Sequence, residues 1–147
     1  MIATGRSVSN EPISETLLAP MDKAPIRVLL ADDDEAFVRS LRELIDSQPE
    51  LHVVAAAADG VQAIELADAM EPHAAVVDLH MPRLDGISTV ARLRRDHPAL
   101  CLIVLTGDED PKLHAAALEA GADAVLAKSE LAERLIQRLV GNGEGRT

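Results

Sequence analysis

Aromatic residues are almost absent from this sequence. Phe37 is the only one, and there is no Trp or Tyr, although 48% of the residues are hydrophobic. The core therefore has to be built from aliphatic side chains. Sites that depend on aromatic stacking, such as many flavin sites and single-stranded nucleic-acid surfaces, are not expected.

Cysteine, basic charge and long apolar runs are scarce as well. Cys101 is the only cysteine, which excludes an internal disulfide, and its place in an apolar run predicts core packing. A formal net charge of −11 repels phosphate backbones, so direct nucleic-acid binding is not expected. The apolar runs are too short for membrane insertion or a signal peptide. We therefore expect a soluble cytoplasmic protein.

The chain is expected to hold one ordered domain. Residues 1–24 are rich in Ser, Thr, Pro and small residues without a sustained period, which predicts a flexible leader. A regular pattern begins after Pro25, so we predict a single domain over residues 25–141 and a short tail over 142–147.

Five apolar runs of strand length alternate with five segments of helical periodicity. The runs lie at 26–31, 52–58, 74–78, 100–106 and 122–127. Strands that are apolar on both faces and joined by helices predict a parallel sheet covered on both sides, which is the doubly wound α/β fold. In such folds the ligand site lies beyond the carboxyl ends of the strands.

Polar side chains collect at that predicted edge. They follow the first, third, fourth and fifth strands: Asp32, Asp33, Asp34, Asp78, Thr106 and Lys128. Neighbouring carboxylates raise one another's pKa unless a cation intervenes, and an all-oxygen cluster suits Mg²⁺. With a lysine and a hydroxyl group added, the set predicts a site that holds a phosphoryl group on an aspartate. No Walker-type glycine-rich loop is present, so a bound nucleotide is not expected.

Some carboxylates near this edge are expected to be structural. Asp34 precedes a helical segment and is predicted to be its N-cap, and Asp85, directly before Gly86, is predicted to be a turn or cap residue rather than a metal ligand. Asp59, followed by Gly60, is predicted to begin the second helix.

Four segments carry a resemblance to a known family: VLLADDDE, VVDLHMPRLDG, IVLTG and GADAVLAKS. Over roughly residues 25–141 the sequence resembles the receiver domain of two-component response regulators. The family fold is a flavodoxin-like (βα)5 sheet with strand order 2-1-3-4-5. The resemblance implies a stand-alone regulator that is phosphorylated by a sensor histidine kinase or a histidine phosphotransfer protein. It would then signal by contact with an unidentified protein target, without being an enzyme in the usual sense.

The resemblance also assigns roles to the residues at the strand ends. Asp78 would accept the phosphoryl group, Lys128 would pair with a phosphoryl oxygen, and Thr106 would swing to hydrogen-bond it. Mg²⁺ would be bound by Asp33, Asp78 and the main-chain carbonyl of His80, with Asp32 acting through bound water.

Two positions depart from the family pattern. Val125 stands where the family usually has Tyr or Phe as a rotamer switch, and a β-branched aliphatic side chain cannot play that part. Many family members have a proline directly after the lysine, joined to it by a cis peptide bond; this chain has Ser129 there, so we predict a trans bond. Receivers often dimerise through the face of the fourth helix, fifth strand and fifth helix, which makes a homodimer through that face one expectation.

Two other functions remain open on the sequence. A haloacid-dehalogenase-like phosphatase would use Asp32 as nucleophile and Asp34 as acid, although the acidic pair that this family needs after the lysine is missing. A degenerate receiver would serve only as a docking module, which Val125 favours and the intact acidic residues, Thr106 and Lys128 oppose.

Overall fold

The structure is a computed structural model that describes residues 24–81, 83–107 and 110–145, apart from the side chains of residues 130–132 and 142–145. The predicted flexible leader lies outside the described residues except for Ala24. Residues 146–147, at the end of the predicted tail, also lie outside them.

Five strands alternate with five α-helices in the described part of the chain. The strands are β1 (Ile26–Ala31), β2 (Leu51–Ala57), β3 (Ala74–Asp78), β4 (Cys101–Thr106) and β5 (Ala124–Ala127). The helices are α1 (Glu35–Asp46), α2 (Gly60–Met70), α3 (Gly86–Asp96), α4 (Pro111–Ala120) and α5 (Leu131–Gly145). A short 3-10 turn, Lys128–Glu130, connects β5 to α5.

The strands form one parallel sheet in the order β2-β1-β3-β4-β5, which confirms the predicted topology. In this register Asp78 on β3 lies beside Leu105 on β4, and Thr106 lies beside Ala127 on β5. The carboxyl ends of all five strands therefore meet at one edge of the sheet.

The two faces of the sheet are covered by different helices. On one face the strands pack against α1 and α5, through Leu41, Ile45, Leu135 and Leu139. On the other face they pack against α2, α3 and α4, through Ala63, Ala67, Val90, Leu93 and Ala117. Apart from Cys101, both clusters consist of buried aliphatic residues, as the shortage of aromatics predicts.

Cys101 is buried on the α5 side of the sheet, which confirms the prediction of core packing. Burial raises the pKa of its thiol to about 11. The thiolate that reacts with electrophiles is therefore disfavoured in the folded protein.

The ends of several elements differ from the predicted ones. β5 begins at Ala124 rather than at residue 122, because Gly121 ends α4 with φ 123° and Asp123 turns its carboxylate toward β4, where it accepts the Leu102 N–H. β2 lies one residue earlier than predicted, and α5 continues to Gly145, past the boundary set at residue 141. Within the described residues no helix combines the length and apolar character needed to cross a membrane.

Candidate functional site

Three carboxylates meet at the carboxyl edge of the sheet, as the sequence predicts. Asp32 follows β1 directly, and Asp78 is the last residue of β3; both are buried, with 6% and 5% of their surface exposed. Asp33 is exposed to solvent. One oxygen atom from each of the three carboxylates lies within 4.8 Å of the others. An oxygen cluster of this kind, with one member open to solvent, fits a hard cation such as Mg²⁺.

Lys128 brings a positive charge into this cluster. Its ammonium nitrogen lies 2.9 Å from Asp32 Oδ2 and 3.5 Å from Asp78 Oδ1. The other oxygen of Asp32, Oδ1, accepts the backbone N–H of Asp34 at 2.9 Å. Asp32 thus uses both of its oxygens on partners within the chain, whereas the sequence assigned it only a water-mediated role beside the metal.

The electrostatics of the site single out Asp78. Burial raises its pKa, and so does the nearby charge of Asp32, while Lys128 and the backbone N–H of His80 act in the opposite direction without cancelling the rise. Burial lowers the pKa of Lys128, but its pairs with Asp32 and Asp78 more than offset that effect, so the net shift is upward. The lysine therefore stays protonated, but its positive charge does not fully compensate the burial of Asp78 and the repulsion from Asp32.

Thr106 and Val125 lie on the neighbouring strands. Thr106 is completely buried at the end of β4, in register with the residue that precedes Lys128. Val125 is half-buried on β5 and packs against the core on the α2–α4 side. The bond between Lys128 and Ser129 is trans, as predicted.

The loop after Asp78 is closed tightly by Gly86. The Gly86 N–H donates to the carbonyl of Leu79 at 3.0 Å. A Cβ atom on Gly86 would lie 2.5 Å from Leu79 Cα and 2.6 Å from the carbonyl oxygen of Asp78, so only glycine allows this approach. His80 is exposed, and its N–H contributes to the hydrogen bonding of Asp78. Metal binding by its carbonyl stays a prediction.

The helix caps confirm the structural roles predicted for three carboxylates. Asp34 accepts the N–H groups of Ala36 and Phe37, and Asp59 accepts that of Gln62. Asp85 accepts the Ser88 N–H at 2.8 Å. Each of the capped helices, α1, α2 and α3, follows the carboxyl end of a strand: β1, β2 and β3 in turn.

Arg83 forms an ion pair that sequence reasoning missed. Its Nε and Nη2 atoms each donate to the carboxylate of Asp59 at 3.0 Å. The backbone of Arg83 is left-handed, with φ 67°, an uncommon conformation for a residue other than glycine. The pair ties the loop after Asp78 to the beginning of α2. No short-range pattern indicates it, because the two residues are 24 positions apart.

Phe37 is a second residue that the sequence placed only in the core. Its ring faces the site, and the Lys128 ammonium lies 4.4 Å from the ring centroid. The one available signal was that Phe37 is the only aromatic residue in the chain.

With this geometry, comparisons with known proteins identify the family. Residues 28–140 match the family described as response regulator receiver domain. The chain belongs to the response regulator receiver domain family. This match covers most of the segment over which the resemblance was noted.

Curated relatives of this receiver agree with that assignment. It is 39% identical over 109 residues to protein-glutamate methylesterase/protein-glutamine glutaminase 4 of Myxococcus xanthus (strain DK1622), covering 74% of this chain and 31% of that protein. It is 38% identical over 115 residues to response regulator MprA of Mycobacterium sp. (strain KMS), covering 78% and 49%. The chain thus spans only 31% and 49% of the length of these two relatives.

Solved receiver structures have the same fold. The signal receiver domain of the response regulator NarL from Mycobacterium tuberculosis aligns with a TM-score of 0.79 at 26% identity, covering 84% of this chain and all of that one. The response regulator domain of Thermotoga maritima CheB aligns with a TM-score of 0.76 at 28% identity, covering 82% and 98%. The family and the fold inferred from the sequence are therefore confirmed.

Proposed function

We propose that this receiver accepts a phosphoryl group on Asp78 from a phosphohistidine, with Mg²⁺ as the cofactor. The observation that carries the proposal is the position of Asp78 at the end of β3, between the carboxylates of Asp32 and Asp33 and the ammonium group of Lys128. A buried carboxylate with a raised pKa beside a lysine is the kind of group that functional sites maintain.

In the proposed reaction a carboxylate oxygen of Asp78 attacks the phosphorus atom, and the P–N bond to the donor imidazole breaks. Lys128 stabilises the negative charge on the phosphoryl oxygens, and the Thr106 hydroxyl donates a hydrogen bond to one of them. Asp33, Asp78 and the His80 carbonyl would hold Mg²⁺, with Asp32 acting through water. When bound, the ion supplies the further positive charge that phosphoryl transfer requires.

The partners follow from the same proposal. A sensor histidine kinase or a histidine phosphotransfer protein in the cytoplasm supplies the phosphoryl group, and the signal passes on by protein contact without direct nucleic-acid binding. A homodimer through α4, β5 and α5 is one form of that contact. Leu118 on α4 supports it, since among the described residues it is the only exposed large hydrophobic side chain, at 50%. Action as a stand-alone regulator stays a prediction, which the mass of the protein purified from its source would check.

Labelling with a small phosphodonor tests the central proposal. Acetyl phosphate with Mg²⁺ should add one phosphoryl group to the wild-type protein, detected by intact mass, and EDTA should prevent it. Asp78→Asn should take no label. Asp85→Asn is the matched control, because Asp85 lies in the same loop but caps α3, a role that Asn also fills. Equal labelling of Asp78→Asn and wild type would overturn the assignment.

The two alternatives are separated by further measurements. The haloacid-dehalogenase-like phosphatase is not the family that the comparisons show, and both oxygens of its would-be nucleophile, Asp32, have partners in the chain. This hypothesis would be supported if the wild-type protein hydrolysed a phosphomonoester and Asp32→Asn did not. A pure docking module should show no saturable NMR shifts at Asp33 and Asp78 during a Mg²⁺ titration.

A further inference from the structure

We propose that Phe37 is a positioning residue for Lys128, holding the lysine ammonium group within reach of Asp78. The proposal rests on the proposed function, because it gives Phe37 a part in phosphorylation of that aspartate. The observation behind it is the 4.4 Å distance between the Lys128 ammonium nitrogen and the centroid of the Phe37 ring.

The contact has the geometry of a cation–π interaction, in which the negative face of an aromatic ring attracts a cation within about 6 Å of its centroid. Such contacts are stronger where water is partly excluded. Only 27% of the Lys128 side chain is exposed, and its two carboxylate partners are buried. Among the described residues the ammonium group therefore has three attractive neighbours: Asp32, Asp78 and the ring.

The ring itself is held in place from two directions. Phe37 lies in the first turn of α1, where its N–H donates to the Asp34 carboxylate at 3.2 Å. Its side chain is half-buried and packs against the core between the sheet, α1 and α5. The ring is thus a fixed surface, while lysine has a long side chain with many rotamers.

Without the ring, Asp32 would be the principal partner of Lys128, because it is the closer carboxylate. A lysine held by two carboxylates alone samples more orientations than one held by the same carboxylates and a ring, and fewer of these orientations serve Asp78. Phe37 should therefore affect how readily Lys128 reaches the phosphoryl group, and not how the carboxylates bind Mg²⁺.

The sequence makes this contact easy to isolate. β5 carries Val125 and no aromatic residue, and Phe37 is the only Phe, Tyr or Trp in the chain. Phe37→Leu keeps an apolar side chain but removes the ring face, whereas Phe37→Tyr keeps the ring. Leu44→Ala is the matched control, because Leu44 is also half-buried on α1 against the same core.

Kinetics of Asp78 phosphorylation by acetyl phosphate provide the first test. At saturating Mg²⁺, Phe37→Leu should lower the maximal rate constant about three- to tenfold. The half-saturating Mg²⁺ concentration should stay within about twofold of wild type, because the proposed metal ligands are unchanged. Phe37→Tyr should restore the rate, and Leu44→Ala should lower the melting temperature without a comparable loss of rate. An unchanged rate in Phe37→Leu, or an equal loss in Leu44→Ala, would overturn the proposal.

NMR provides a test that does not depend on phosphorylation. The ε-methylene protons of Lys128 should be shifted upfield by the ring in wild type and in Phe37→Tyr, and should return to ordinary positions in Phe37→Leu. Identical shifts in all three proteins would show that the ring does not hold the lysine. If wild type takes no label at Asp78, the proposed function fails, and these shifts still decide whether the contact exists.

Discussion

The ammonium group of Lys128 is closer to Asp32 than to Asp78, at 2.9 Å against 3.5 Å. Of the two buried carboxylates, Asp32 therefore receives more of the lysine's hydrogen bonding. Asp78 experiences burial and the charge of Asp32 with weaker compensation, which raises its pKa. In the metal-free protein the charge of Asp78 is therefore unfavourable, and a cation bound beside it would offset the repulsion from Asp32.

Asp78→Asn is predicted to stabilise the metal-free fold near neutral pH, because it removes a buried charge that faces a second carboxylate. The effect should depend on pH. The folded pKa of Asp78 is raised above its ordinary value of 3.8. Wild type therefore loses stability as the pH rises from about 4 through the folded pKa, and the variant lacks that loss.

Urea unfolding in EDTA across this pH range measures the effect, with Asp85→Asn as an exposed control that should follow wild type. If Asp78→Asn is less stable than wild type at neutral pH, the charge of Asp78 does not destabilise the metal-free fold and the prediction is wrong.

Asp33→Asn is predicted to weaken Mg²⁺ binding about tenfold or more, since Asp33 is the exposed member of the carboxylate cluster and the one open to an incoming ion. Asp34→Asn should bind Mg²⁺ nearly as wild type does, because Asn also caps a helix. Isothermal titration, or the rise in melting temperature with Mg²⁺, compares the two neighbours. An equal loss of Mg²⁺ affinity in both variants would contradict the assignment. It would mean that Asp33 is not a ligand, or that affinity depends only on the total negative charge near the site.

Gly86→Ala is predicted to destabilise the protein by about 3 kcal/mol, because the new methyl group would overlap the backbone of Asp78 and Leu79. Gly107→Ala is the control, since a Cβ atom there meets nothing within 4 Å. Thermal unfolding monitored by circular dichroism should separate the two glycines clearly. If Gly86→Ala and Gly107→Ala have the same melting temperature, the loop after Asp78 can accept a methyl group at Gly86, and the prediction is wrong.

Arg94→Ala is predicted to destabilise the protein by about 2 kcal/mol through the loss of several hydrogen bonds. The guanidinium group donates to the carbonyls of Pro98, Leu100 and Gly121 and to the carboxylate of Asp123, joining α3 to the beginnings of β4 and β5. Urea unfolding measures the difference between variant and wild type.

Arg95 is the adjacent control, because its guanidinium group pairs with its exposed neighbour Asp96. Arg95→Ala should leave the unfolding midpoint close to that of wild type. A similar loss in both variants would mean that arginine at this end of α3 stabilises the protein through its charge alone.

The family resemblance supplied the sheet order, and the residue patterns alone determined the alternation of strands and helices, the helix caps and the group of side chains at the carboxyl edge. Each of these depends on short-range patterns: apolar runs of strand length, an Asp directly before each of α1, α2 and α3, and polar residues placed where the runs end. Parallel topology then brings Asp32, Asp78 and Lys128 to one edge without further information.

Only the tertiary structure decided which of these groups pair and how closely. Lys128 and Asp32 are 96 residues apart, and Arg83 and Asp59 are 24 apart, so neither pair leaves a local pattern. The start of β5 was misplaced for the same reason, because Asp123 is drawn toward β4 by the Leu102 N–H. The Phe37 ring faces Lys128 because packing orients α1 against the sheet, and periodicity shows only that a residue points inward, not which side chain it meets there.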